Sequence, residues 1–175
     1  MPNVIELRRY TLRPGRREEL IELFEREFVE SQEETGMTVL GIFRDLDDPD
    51  AFVWLRGFTD METRLAALTA FYGGPVWAEH GPAASVTMVD VSNCRLLRPV
   101  KPFDLSAPPG PLYAALTEEP LDDPSPLAVL VTEDAPNDFP RLPIRTDPVV
   151  VTFTRGRPST GSVLRLEPTA RSRVR

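Results

Sequence analysis

The sequence predicts an α+β fold: one β-α-β-β-α-β unit, followed by a second copy of that unit that has kept its strands and lost its helices. Three observations predict it. Up to Pro102, alternating runs and helical stripes follow one another in the β-α-β-β-α-β order. The 19 prolines concentrate after Arg98, so the two halves of the chain obey different rules. Beyond Arg98, strand-like runs return in the order and spacing of the first half, with short proline-rich segments where helices stood.

The first run, 4–12, alternates as a strand, with Glu6, Arg8, Tyr10 and Leu12 on one face and Ile5, Leu7, Arg9 and Thr11 on the other. After the Pro14-Gly15 turn, 16–34 reads as an amphipathic helix: Leu20, Leu23, Phe24 and Phe28 recur at spacings of three and four, with Ile21 beside them, and Gly36 ends it. Residues 38–44 and 52–58 form a hairpin across LDDPD, the second strand aligning Phe52, Trp54, Arg56 and Phe58. Thr59-Asp60-Met61-Glu62 reads as a capping box. It opens a helix whose stripe is Leu65, Leu68, Phe71 and Tyr72. Gly73-Gly74 breaks that helix, Pro75 restarts it, Gly81-Pro82 stops it, and 85–97 reads as a long strand. This is the ferredoxin-like split βαβ pattern, a sheet with helices on one face only. Its other face needs a cover, which a second sheet supplies.

That second sheet is the echo in 103–175. RLLRP at 95–99 is matched by LRLEP at 164–168, 39–45 by 127–133, and 52–58 by 149–155, with 111–117 as a first strand. LDDPSP and RPSTG stand in the helix positions, too short and too proline-rich to be helical. The expectation is two domains, 1–102 and 103–175, paired face to face as a pseudo-dimer; an unrelated extended tail is the alternative. In 127–131, Leu127, Val129 and Val131 point one way and Ala128 and Leu130 the other, as in a strand buried on both faces. A helix-less outer face predicts a homodimer, unless the proline-rich stretches 101–111 and 134–148 fold back as a lid.

Bulk properties narrow the function. At 175 residues and 41% hydrophobic, a packed core is within reach. No run is long enough for a membrane span, and MPNVIELRRY is not a signal peptide. The one cysteine, Cys94, points to the cytoplasm and to a small apolar packing role. A net charge of −7 argues against nucleic acid as partner. Phosphate-loop, dinucleotide and nucleophile-elbow motifs are absent, as is metal-ligand spacing, so neither a cofactor nor a metal is expected.

IELRRYTLRPG, FVWLRGF, FYGGPVWAEHGPAA and a strand ending LLRP, in that order, resemble the NIPSNAP family over residues 3 to about 102. PNDFPRLPIR resembles the second half of two-domain bacterial NIPSNAP-like proteins. The resemblance implies the dimeric α/β-barrel superfamily. It implies little chemistry, since the family's activity is mostly unassigned, although that superfamily includes cofactor-independent monooxygenases and haem-degrading enzymes.

Two sets of residues are candidates for chemistry. His80, the only histidine, is a general-base candidate three residues after Trp77; the plain alternative is a surface or capping histidine, and a haem-ligand role rests on superfamily analogy alone. Glu6, Arg8, Tyr10, Trp54, Arg56 and Trp77 are candidates to bind a small polar or anionic molecule between the sheets. Their plain alternatives are a self-satisfied ion-pair network and, for Trp77, a core plug. The two functions in view are thus a small-molecule binder or cofactor-independent enzyme, and a non-catalytic assembly module with a filled barrel.

Overall fold

The computed structural model describes residues 1–175 as a closed eight-stranded barrel with helices on one side. Its elements are β1 (Val4–Leu12), α1 (Arg17–Glu27), α2 (Glu30–Glu33), β2 (Thr38–Asp45), β3 (Ala51–Phe58), α3 (Met61–Tyr72), α4 (Pro75–Ser85), β4 (Met88–Lys101), β5 (Leu112–Thr117), β6 (Ala128–Thr132), β7 (Val150–Thr154) and β8 (Ser162–Pro168).

Several helix boundaries differ from expectation, each for a local reason. The first helix divides at Phe28 and Val29. Phe28 is buried edge-on to Phe24 and Phe71, and its carbonyl accepts from Gln32 Nε2 at 2.7 Å. The cap of α3 is Asp60, not Thr59: its carboxylate accepts from the Thr63 amide at 2.7 Å. On α3 the buried stripe is Arg64, Ala67, Leu68 and Phe71, while Leu65 is 38% exposed. The last helix runs past Gly81-Pro82 to Ser85. Gly81 lets the Trp77 indole lie flat on the helix; a Cβ there would come within 2.7 Å of the ring.

Around the barrel the order is β1-β3-β2-β8-β5-β7-β6-β4, with every neighbouring pair antiparallel. The first-half strands thus run β4-β1-β3-β2 and the second-half strands β8-β5-β7-β6. Two seams join the halves. The end of β2 meets β8, and β4, 14 residues long, pairs with β1 first and then with β6. Beyond β8, Arg173 and Val174 continue along β2 by donating to the Leu40 carbonyl. Residues 103–175 contain no helix, and 121–126 and 157–161 connect strands as loops.

The core has two layers. Leu20, Phe24, Phe28, Phe52, Trp54, Leu68 and Phe71 fill the space between the helices and the first-half sheet. Ile5, Leu7, Phe43, Val53, Leu55, Leu97, Leu130 and Phe153 fill the barrel interior. The proline-rich stretches join these layers: Phe103 inserts into the interior 4.8 Å from Phe153, and Phe139, Leu142 and Ile144 pack on the helix side. Ala128 and Leu130 point inward, whereas Val129 and Val131 are half-buried on the outer face. No helix is long and apolar enough to cross a membrane.

Candidate functional site

The two faces of β1 carry two different polar clusters. The first is the expected group, turned the other way. Glu6, Arg8, Tyr10, Trp54 and Arg56 come together, but they face the helices and not the space between the sheets. Alternation fixes this: Ile5 and Leu7 enter the barrel interior, so Glu6 and Arg8 must leave it. Glu6 is fully buried. Its Oε1 accepts from Arg8 Nη1 at 2.7 Å and from Arg56 Nε and Nη2 at 3.1 and 3.0 Å. Its Oε2 accepts from Arg64 Nε at 3.0 Å. The spare donors are served as well. Arg8 Nε donates to the Tyr10 hydroxyl, Arg56 to Gln32 and Tyr72, and Arg64 to Asn137 and Asp138 from the stretch 134–148. The Arg56 guanidinium also lies 4.8 Å from the Trp54 ring centre.

The electrostatics follow from burial. Desolvation alone would raise the Glu6 carboxyl, but Arg56, Arg8 and Arg64 hold it down at about 2. Burial pushes the Tyr10 phenol up to about 12, so it stays a neutral hydroxyl. Beside the cluster, Tyr10, Phe24, Phe28, Trp54, Tyr72 and Trp77 line a space of about 30 Å³, room for about one water. The Trp54 Nε1 is buried without a partner. Arg64, Gln32, Tyr72 and Asn137 escaped sequence reasoning. For Arg64 a signal existed: an arginine at the head of an apolar stripe requires a buried counter-charge.

The second cluster lies on the opposite face, at one end of the barrel, where the apolar filling stops. There a cavity of about 820 Å³ opens between the two halves, within the usual pocket range of about 300–1,000 Å³. On one wall Arg9 Nη2 bridges Asp45 at 3.3 Å and Asp48 at 3.1 Å, and Arg165 pairs with Asp47 at 3.0 Å. Arg17 fixes that loop by donating to the carbonyls of Asp45, Asp48 and Ala51. On the other wall Arg95 and Arg145 both hold Asp147. Leu116, Thr117, Ser162 and Leu164 from the second half complete the rim. The register explains the meeting: Arg9 faces Asn93 and Leu7 faces Arg95 across the β1–β4 ladder, so the two arginines are diagonal neighbours on the inner face. Arg9 and Arg95 each keep a buried Nε with no partner. None of these residues was singled out from sequence, although Arg9 sits on the face that Ile5 and Leu7 define.

His80 falls elsewhere, and Trp77 and Cys94 pack as core on the helix side. His80 is on α4 with its Nε2 3.3 Å from Glu27 of α1, and it lines neither cavity. Trp77 packs 5.0 Å from Tyr72 and 5.5 Å from Phe28. Cys94 is fully buried with its thiol pushed up by burial.

A barrel of this strand order, with helices on one face of the first sheet, defines an α+β fold of ferredoxin-like type. Solved structures share it. An NIPSNAP family protein from Agrobacterium tumefaciens is 21% identical, covering 55% of this chain and 85% of its own, with a TM-score of 0.51. An NIPSNAP-like domain protein from Burkholderia xenovorans is 26% identical, covering 60% and 89%, with a TM-score of 0.50. A proposed monooxygenase from Fusobacterium nucleatum is 8% identical, covering 95% and 92%, with a TM-score of 0.63. The NIPSNAP family model matches residues 5–102 of the 175, and the chain belongs to the NIPSNAP family. No curated protein matches it.

Proposed function

We propose that this chain is a small-molecule-binding member of its family and that the ligand sits between the two sheets at the open end of the barrel. The cavity of about 820 Å³ carries this reading, because strands of both halves line it with charged and hydroxyl groups. The interior beyond it is packed, and the Glu6 network is closed, so neither offers comparable room. The carboxylates, guanidiniums and hydroxyls that line the cavity suit proton transfer and oxyanion stabilisation of a bound molecule. We read 1–102 and 103–175 as two copies of one unit forming a pseudo-dimer; the matching orders β4-β1-β3-β2 and β8-β5-β7-β6 support this. A buried single thiol is in keeping with a cytoplasmic home.

A panel of small carboxylates, phosphates and amino acids, read by thermal shift, tests the binding site. Any hit should be lost in Ser162→Trp, which blocks the rim, and kept in Tyr10→Phe. The opposite pattern would move the ligand to the helix side.

The filled interior favours a second role, in assembly. The outer face of β6 and β7 has no helices over it, and Val129 and Val131 are half-buried there. A homodimer through this face should dissociate in Val131→Glu, as measured by light scattering. Leu130 is unsuitable for that test because it lies inside the barrel. A monomer at all micromolar concentrations would reject the homodimer.

A further inference from the structure

We propose that Asp147 is a built-in occupant of an oxyanion clamp formed by Arg95 and Arg145, and that a small carboxylate or phosphate displaces it. The inference rests on the reading of the barrel mouth as the ligand site. Arg95 is 8% exposed, and its charge has one carboxylate partner, Asp147. Nη1 donates to the Asp147 carbonyl at 3.0 Å and Nη2 to Oδ2 at 3.1 Å, while Nε is buried with no acceptor. Arg145 grips the same carboxylate as a fork, Nε to Oδ1 and Nη2 to Oδ2, both at 3.1 Å. That is the bidentate geometry by which guanidinium recognises carboxylate and phosphate.

The occupant is the most exposed of the three side chains, at 55% against 46% for Arg145 and 10% for Arg95. Asp147 and Arg145 share a proline-rich stretch, with Pro143 and Pro148 on either side. The clamp is anchored by structure: Arg95 is part of β4, and the Arg145 amide donates to the Cys94 carbonyl at 2.8 Å. Hydrogen bonds from Arg145 and then Arg95 keep the Asp147 carboxyl below its usual range, so it fills the clamp as a carboxylate. A free oxyanion replaces it charge for charge. Free of the tether, and for phosphate with more acceptor oxygens, such an ion can also serve the idle Nε once the guanidinium pivots. Across the cavity, Asp45, Asp47 and Asp48 offer acceptors. The ligand class that fits both walls is a small oxyanion whose far end carries hydroxyl or ammonium donors.

A tethered competitor lowers the apparent affinity for a free ion by the fraction of the time it fills the clamp, so removing one that fills it about nine-tenths of the time should raise affinity about tenfold. Calorimetric titration of the full chain with malate and with inorganic phosphate tests this. Asp147→Asn should bind at least one of them about tenfold tighter than the wild type. Arg145→Gln, an exposed change, and Arg95→Gln should each abolish that gain when added to Asp147→Asn, with circular dichroism confirming the fold. Equal or weaker binding by Asp147→Asn, no binding by it at all, or a gain that survives both arginine changes would overturn the inference. Phosphate alone tightening would assign the clamp to phosphate esters, and malate alone to hydroxy acids. The broader reading of the mouth stands or falls separately, on whether Ser162→Trp removes hits from the thermal-shift panel.

Discussion

Arg8 and Arg9 are adjacent in sequence and have opposite fates. Arg8 is 1% exposed, sealed under the helices with Glu6 and Tyr10. Arg9 is turned into the barrel mouth, where its side chain keeps 26% of its exposure and reaches Asp45 at the end of β2 and Asp48 on the loop after it. The same chemistry thus does two jobs one residue apart. In the dry layer, a carboxylate shared by three guanidiniums gives geometry: it ties β1 and β3 to α3 and, through Arg64, to the stretch 134–148. In the mouth, the ion pairs are partly solvated and leave the Arg9 and Arg95 Nε donors idle. Burying ions is not in itself stabilising, but once they are buried the loss of one partner is severe. Solvated pairs contribute little to stability.

The largest expected effect comes from removing the hub of the dry cluster. Glu6→Gln should cost about 3–5 kcal/mol in denaturant unfolding, because three buried guanidiniums lose their common counter-charge. Arg9→Ala should cost less in the same measurement, about 1–2 kcal/mol, because Arg9 is partly solvated although its partner Asp45 is buried. Similar losses from both would erase the distinction between the faces.

Acid sharpens the contrast. The Glu6 carboxyl is held at about 2 against an ordinary 4.5. Its folded value is the lower one, so its contribution is complete above about pH 4.5 and lost as the pH falls towards 2. That shift corresponds to a contribution on the order of 3 kcal/mol. The stability gap between wild type and Glu6→Gln should therefore be widest above this window and close within it. A gap that is constant with pH would mean the carboxylate is not the hub.

A smaller effect probes the filled part of the interior. Gly41 lies under the Phe43 ring, and a Cβ there would come within 2.3 Å of it. Gly41→Ala should cost about 1–3 kcal/mol by overpacking and leave any ligand affinity at the mouth unchanged. A change in affinity without loss of stability would show that the packed interior and the mouth are not separate.

Much of this architecture was legible in the sequence, because strand alternation and helix stripes are local signals. The partition of β1 into two faces was readable, and so was the absence of helices from 121–126 and 157–161. Which face of β1 meets the helices was not. Glu6, Arg8 and Tyr10 look like the wetter face, and only the long guanidinium stems and the hidden partners Arg64 and Gln32 allow that face to be buried. The mouth was illegible for another reason. Its walls come from β1, β2, β4, β5 and β8, and Arg95 and Asp147 lie 52 positions apart. No local pattern connects them.

The central claim is that the exchangeable polar site is the mouth and that the Glu6 layer is scaffold. Amide and indole resonances of the labelled wild-type chain, followed during titration with malate and with inorganic phosphate, test it most directly. The amides of Asn93, Arg95, Thr117 and Ser162 should move in a saturable way with at least one of the two, while the indole signals of Trp54 and Trp77 stay fixed. Saturable movement of the indoles, with the mouth amides unmoved, would contradict the claim and place the site beneath the helices.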